Sequence, residues 1–424
     1  MFKNLSFLIK KIFKTEFFSN VSTQILGTGV AQVLPFLLMP VLSRVFNETD
    51  FANFTIFIAV SSVLTVVVGG RYQFALVIPK KEAEAQNLFE LSVYITLIYA
   101  AFIFIVLQTG IFNFYLKQKG LLFYIPIYIV LYGIWSSASN LSIRHKKFKN
   151  NAISKVVQSS SYSFGSVGLS FLTKSYGLVI GKIISVLFST LYLIKTTKIN
   201  NFSYNLELLK RVGKKYIDYP KYGILPSFFN IASLQALVFV IGNYYTKIEL
   251  GYFGLTNLIL AAPLGLIGVS YREVFYQKIA ELINLGKGLE AFKFFKNSAL
   301  LLFVIGLPIS VTLFFFGEYL FGLILGKKWE ESGVYASVIS ISLLIKLVVS
   351  PLSSLFNATN TLKIAAYWQT LYFVSTLITF SICVTLFDLS VILLLKVYVV
   401  HELVLYSIYF YLEHRTLKKL VGKV

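Results

Sequence analysis

Acid is what this chain has least of. Only three aspartates, Asp50, Asp218 and Asp388, occur in 424 residues, and none belongs to a D-x-D pair that could hold a divalent metal for sugar-nucleotide transfer. The three histidines, His145, His401 and His414, are dispersed, which argues against a metal cluster. The G-x-x-x-x-G-K-[ST] spacing of a phosphate-binding loop is missing. Residues 285–292, LGKGLEAF, have glycines without that spacing, so ATP hydrolysis is not expected. A single cysteine, Cys383, permits no internal disulfide. No Ser/His/Asp set stands out from the apolar background. These absences point to a carrier that makes and breaks no covalent bond, with no catalytic residue, no cofactor and no metal.

What is abundant is apolar. Hydrophobic residues make up 57% of the chain and charged residues 13%, with a mean hydropathy of +0.75. A soluble domain carries about 25% charged residues, so this chain reads as lying mostly in lipid. A spanning helix needs about 20 apolar residues. Twelve such segments are expected, near 20–43, 51–70, 87–109, 121–143, 152–173 and 176–194, then 224–246, 250–271, 298–316, 333–353, 364–386 and 389–412. They are continuously apolar rather than alternating, which favours helices over barrel strands.

The Lys/Arg distribution sets the orientation. With a cytoplasmic N-terminus, 29 basic residues fall on inner segments and seven on outer loops, so both termini are expected in the cytoplasm. The same pattern accounts for the net charge of +21 without nucleic acid. Residues 1–19 read as an amphipathic helix on the membrane surface, with Lys3, Lys10, Lys11 and Lys14 between apolar positions. Residues 195–223 form the longest polar interruption and read as a cytoplasmic connector. It joins an N-terminal six-helix bundle, 20–194, to a C-terminal one, 224–412, followed by a basic cytoplasmic tail, 413–424. The halves are weakly similar: aligning Phe51 with Leu250 also pairs Phe54 with Phe253 and Tyr72 with Tyr271. The expected fold is therefore all-α and integral to the membrane, with twelve helices in two pseudo-symmetric bundles. Prolines lie inside several spans. Pro35, Pro40 and Pro263 are either ordinary irregularities or points where helices 1 and 8 bend.

The polar residues left inside the spans are the candidate site. Lys182, Lys346 and Lys396 each cost about 2.5–3.5 kcal/mol at a helix centre unless compensated. Lys182 is near enough to a helix end to snorkel, whereas Lys346 and Lys396 lie deeper. Acids are few, so the interior is expected to be biased positive and to suit an anionic head group. Glu402 and His401 are candidates to exchange a proton, the plainer alternative being a Glu402 carboxyl satisfied by a tyrosine. Arg71 and Arg272 end spans 2 and 8, either as boundary arginines or as a pair of guanidinium clamps. Gln24, Gln235, Asn243 and Asn257 are candidates to meet sugar hydroxyls, the alternative being helix-to-helix bonding.

The stretch from Gly27 to Asn87 carries a resemblance. Its Gly29, Gln32, Pro35, Pro40, Leu42, Arg44, Phe51 and Phe54, followed by Arg71, Tyr72, Ala75, Pro79 and Lys80, resemble the O-antigen and capsular-polysaccharide flippases. These form the Wzx-type branch of the multidrug/oligosaccharidyl-lipid/polysaccharide exporter superfamily. Ala52 and Gln73 stand where members often have Gly and Glu. The resemblance implies a twelve-helix carrier of the bacterial cytoplasmic membrane. It would move an undecaprenyl-pyrophosphate-linked glycan between leaflets by alternating access, for O-antigen, capsule or exopolysaccharide synthesis. Its basic cavity would fit Lys182, Lys346 and Lys396. Membrane lipid, a polysaccharide polymerase and chain-length proteins are the implied partners. Other cargoes of the same fold, such as a teichoic-acid or peptidoglycan precursor or a drug, are alternatives. A membrane glycan polymerase is disfavoured by the short outer loops.

Overall fold

The structure is a computed structural model that describes residues 16–110, 119–173, 176–197 and 205–421. Residues 1–15 of the expected surface helix and 422–424 of the expected tail lie outside the described residues. Among the described residues the chain is helical throughout, with no strand. In order come α1 (Glu16–Val45), α2 (Glu48–Leu64), a 3₁₀ segment (Thr65–Ala75), α3 (Glu82–Gln108), α4 (Lys119–Arg144), α5 (Phe148–Ser170) and α6 (Gly177–Thr197). Next come α7 (Leu206–Lys215), α8 (Asp218–Tyr244), α9 (Lys247–Pro263), a π turn (Leu264–Val269) and α10 (Ser270–Asn284). The chain closes with α11 (Gly288–Leu325), α12 (Glu330–Leu352), α13 (Leu355–Ala358), α14 (Leu362–Thr385) and α15 (Val391–Val421).

Nine of the described helical runs are long and apolar enough to cross a bilayer. Three more long helices, α1, α4 and α5, stand at other expected spans. Seven serines keep α5 below that apolarity, and Ser154, Ser163 and Ser166 on it are fully buried.

Polar side chains fix the helix starts. Between α1 and α2, the Asp50 carboxylate accepts from the Asn47 amide at 3.0 Å and the Asn47 side chain accepts from the Asp50 amide at 2.9 Å. Thr246 and Glu249 form a capping box that opens α9. Asn205 caps α7 by accepting from the amides of Glu207 and Leu208, both at 3.1 Å. The expected connector, 195–223, is thus partly helical. Segment 272–297, expected as a loop, is a helical hairpin. The end of α10 and the start of α11 close on Phe275, Ile279, Leu282, Ala291 and Phe295, because apolar residues recur there at helical spacing.

The described chain falls into two compact units. One comprises Met1–Leu38 and Val60–Leu225, the other Met39–Ala59 and Pro226–Val424. In the first, α7 lays Val212 against a core of Tyr72, Leu76, Leu88, Phe89 and Leu141. The Tyr72 hydroxyl donates to the Gly213 carbonyl at 2.9 Å, and Lys215 donates to Glu84. That bond holds the Lys215 ammonium protonated to higher pH than usual. In the second unit, α11 and α12 approach at Gly317 and Gly333. A Cβ on Gly333 would lie 2.4 Å from the Gly317 carbonyl oxygen, so only glycine permits this spacing.

Gly333→Val should therefore lower the stability of the detergent-purified protein by about 1–3 kcal/mol, read as a lower thermal unfolding midpoint. An unchanged midpoint would show that the two helices part without cost.

Candidate functional site

Three helices of the second unit bring charge and aromatics together. On α15, Tyr398, Glu402, Tyr406 and Tyr409 are spaced by four, four and three residues, so they share one face. On α14, Trp368 and Tyr372 are four apart. Lys346 comes from the C-terminal half of α12. Its ammonium lies 2.8 Å from Glu402 Oε2 and donates to the Tyr398 hydroxyl at 2.5 Å. Tyr372 donates to Glu402 Oε1 at 2.5 Å. The ammonium also faces the rings of Tyr398 and Tyr406, at 4.8 and 5.7 Å from their centroids. Glu402 is 0% exposed and Lys346 12%.

Apart, a buried ammonium and a buried carboxylate would each carry a desolvation cost of several kcal/mol. Together, with two tyrosine hydroxyls on their remaining sites, they form a neutral group. The expected positive bias of the interior is therefore corrected at Lys346, whose charge a carboxylate on another helix cancels. The tyrosine expected for Glu402 is Tyr372, with Lys346 added. Behind the pair lies an aromatic wall: Trp368 stacks on Tyr409 at 4.0 Å and on Tyr372 at 5.1 Å, and its indole N–H donates to the Leu405 carbonyl at 3.1 Å. His401 is beside the pair, its Nε2 3.0 Å from Ser375 Oγ and its Nδ1 3.9 Å from Glu402.

In the first unit the notable feature is a backbone kink. Gly69, Gly70 and Arg71 have φ of 60°, 57° and 64°, three successive left-handed residues between helical segments. Glycine adopts that conformation freely, whereas a side-chain-bearing residue costs roughly 1–2 kcal/mol. The kink buries Tyr72 and Gln73 and leaves Arg71 half-buried. The Arg71 guanidinium stacks 4.4 Å from the centre of the Phe74 ring and lies against Gly223 of α8. Among the described residues no carboxylate pairs with it. Lys182 on α6, also in this unit, is half-buried with its ammonium 5.9 Å from the Tyr162 ring centre. No described carboxylate pairs with it either.

The remaining expected residues are scattered. Lys396 is exposed on α15 and Arg272 exposed on α10. Gln235 and Asn243 are half-buried on α8, and Asn257 is exposed on α9. The Gln24 side chain lies outside the described residues. Lys346, Glu402 and His401 are thus the expected residues that meet. Their partners Tyr372, Tyr398 and Tyr406 went unassigned among 27 tyrosines, although the four-residue rhythm around Glu402 marks two of them. The kink was legible only as the Gly-Gly pair before Arg71. Of the expected bends, α1 runs as one helix through Pro35 and Pro40, and the π turn follows directly on Pro263.

Two outcomes follow from these geometries. Lys346→Met strands Glu402 in an apolar site and should cost about 3–5 kcal/mol, while Lys346→Met with Glu402→Gln should recover most of it, both by thermal unfolding in detergent. Equal losses in the single and double variants would deny the pairing. Arg71→Gly relieves the strained φ and should leave the protein unchanged or up to about 1 kcal/mol more stable, yet lower the transport expected from the sequence by about tenfold or more. Stability and transport falling together would make Arg71 a structural residue.

A family described as "Polysaccharide biosynthesis protein" matches residues 41–334. No curated protein matches the chain by sequence. Among solved structures the chain is similar to an inward-facing multidrug resistance MATE family transporter of the MOP superfamily, with a TM-score of 0.65, 14% identity and 95% of each chain covered. It is similar to the lipid II flippase MurJ in an inward closed conformation, with a TM-score of 0.73 and 13% identity over 93% of this chain and 89% of that one. It is also similar to a MOP superfamily transporter from Pyrococcus furiosus, with a TM-score of 0.60 and 13% identity over 95% of this chain and 96% of that one. At these identities the likeness establishes the fold.

Proposed function

This chain belongs to the polysaccharide biosynthesis protein family, and we propose that within it the chain is a flippase for an anionic, polyprenyl-pyrophosphate-linked glycan. It would work in the bacterial cytoplasmic membrane, with twelve spans and both termini in the cytoplasm, by alternating access and without bond-making chemistry. The observation that carries the reading is the family match over 41–334 on a fold shared with transporters.

The distribution of charge supports an anionic cargo. Lys346 is cancelled by Glu402, so of the basic residues expected to meet phosphate those left are Arg71 and Lys182 of the first unit, with exposed Arg272 and Lys396 on the second. Arg71 is the principal candidate. A planar guanidinium donates to two phosphate oxygens at once, and the chain accepts a strained backbone to hold it at the kink. The half-buried amides Gln235 and Asn243 are candidates for sugar hydroxyls.

A deletion strain should accumulate the lipid-linked glycan on the inner leaflet of its cytoplasmic membrane, and the wild-type gene should clear it. Unpolymerised glycan on the outer leaflet would instead mark a polymerase. Drug sensitivity without trapped glycan would mark an exporter of another cargo.

A further inference from the structure

The second unit holds a cavity of about 640 Å³ whose lining shares only Trp368 with the Lys346–Glu402 cluster. It is bounded by the turn at Thr359–Thr361, the first turns of α14 and the last turns of α15. Arg415 and Lys419, one helical turn apart on α15, line it together. Neither forms an ion pair among the described residues, and no acidic residue lines the cavity. Two like charges side by side without a counter-charge repel each other, and an anion between them would remove that repulsion.

The other polar groups narrow the ligand. Thr359 donates to the Leu355 carbonyl at 3.0 Å and lies 2.7 Å from the Thr361 hydroxyl. Thr416 donates to the Leu412 carbonyl at 2.7 Å. These hydroxyls are largely committed. The available donors are the guanidinium and the ammonium, because the Ile364 amide in the first turn of α14 already donates to the Thr361 carbonyl at 3.0 Å. Donors of this kind select phosphate oxygens.

Beyond the cationic end the lining turns apolar. Ile364, Tyr367 and Leu371 follow one another along one face of α14, with Trp368 as the floor. Tyr367 and Leu371 are 75% and 48% exposed. A phosphate placed at Arg415 and Lys419 therefore has a hydrocarbon track leading away from it.

We propose that this cavity is a binding site for a phosphate-bearing amphiphile, with the head group between Arg415, Lys419 and the start of α14 and the chain along Ile364, Tyr367 and Leu371. It is separate from the carriage proposed above and does not depend on the cargo's identity. A bilayer phospholipid and a polyprenyl pyrophosphate share the chemistry it recognises.

The test uses the full chain purified in nonionic detergent, with binding followed by native mass spectrometry. The probes are short-chain phosphatidylglycerol, short-chain phosphatidylcholine, farnesyl pyrophosphate and inorganic phosphate. Phosphatidylglycerol or farnesyl pyrophosphate should bind about tenfold or more tightly than phosphatidylcholine, and whichever binds tighter names the source. The Arg415→Gln/Lys419→Gln variant should lose about tenfold or more of that affinity, Arg415→Lys should retain most of it, and Leu371→Asn should weaken the amphiphiles alone. Inorganic phosphate binding as tightly as either amphiphile would overturn the proposal. So would affinity unchanged in the double variant, or no binding of any probe.

Discussion

A lysine and a glutamate from separate helices meet in the second unit, and each is tolerable there only because of the other. Hydrocarbon offers no water to solvate a lone charge, and insertion scales put that cost at about 2.5–3.5 kcal/mol at a helix centre. Lys346 and Glu402 at 2.8 Å cancel one another, and Tyr372 and Tyr398 fill their remaining sites. The contact ties α12 to α15, and Tyr372 adds α14. The packing of Trp368, Tyr406 and Tyr409 then follows, since these rings fill the space around a fixed polar core. Remove one partner and the other is left as a buried charge without its counter-charge.

The first unit solves a different problem. Its Arg144 and Lys215 are paired with Glu82 and Glu84, but Arg71 and Lys182 pair with no described carboxylate. Arg71 is held by backbone geometry and by the Phe74 ring, so its donors are uncommitted to any described carboxylate. A chain that needed only a turn between α2 and α3 would place a third glycine after Gly69 and Gly70. Arginine in that conformation costs stability, a cost that the proposed role of Arg71 toward the cargo's anion would explain. Among the basic residues expected inside the spans or at their ends, Lys346 is thus neutralised by a carboxylate, whereas Arg71 and Lys182 pair with no described carboxylate.

Much of this was legible in the sequence and some was not. The long apolar runs gave the helical membrane class directly, because no other described structure could bury them. The family resemblance rested on Gly29 through Lys80 and agrees with the family match. The Lys346–Glu402 pair could not be read. Spacing relates residues along one helix, but 56 positions separate Lys346 from Glu402 and only tertiary packing joins them. Prolines are the obvious candidates for bends, yet the break with three successive positive φ values lies at Gly69–Arg71. Positive φ depends on the lack of a Cβ, and Arg71 enters that conformation against its own preference. The polar stretches around 206–215 and 272–297 read as breaks between spans because charges interrupt every apolar run there, although their apolar residues recur at helical spacing.

The central claim is that the cargo's anion is met by an open cation of the first unit, while the buried lysine of the second serves structure. It is tested most directly by reconstituting the protein into vesicles and measuring the transbilayer rate of a polyprenyl-pyrophosphate glycan. The comparison is between Arg71→Ala and the neutral pair Lys346→Met/Glu402→Gln. The account predicts a loss of about tenfold or more for Arg71→Ala, the equivalent of one charge-assisted hydrogen bond, and a rate near wild type for the neutral pair. A wild-type rate with Arg71→Ala, together with a collapse for a stably folded neutral pair, would contradict it.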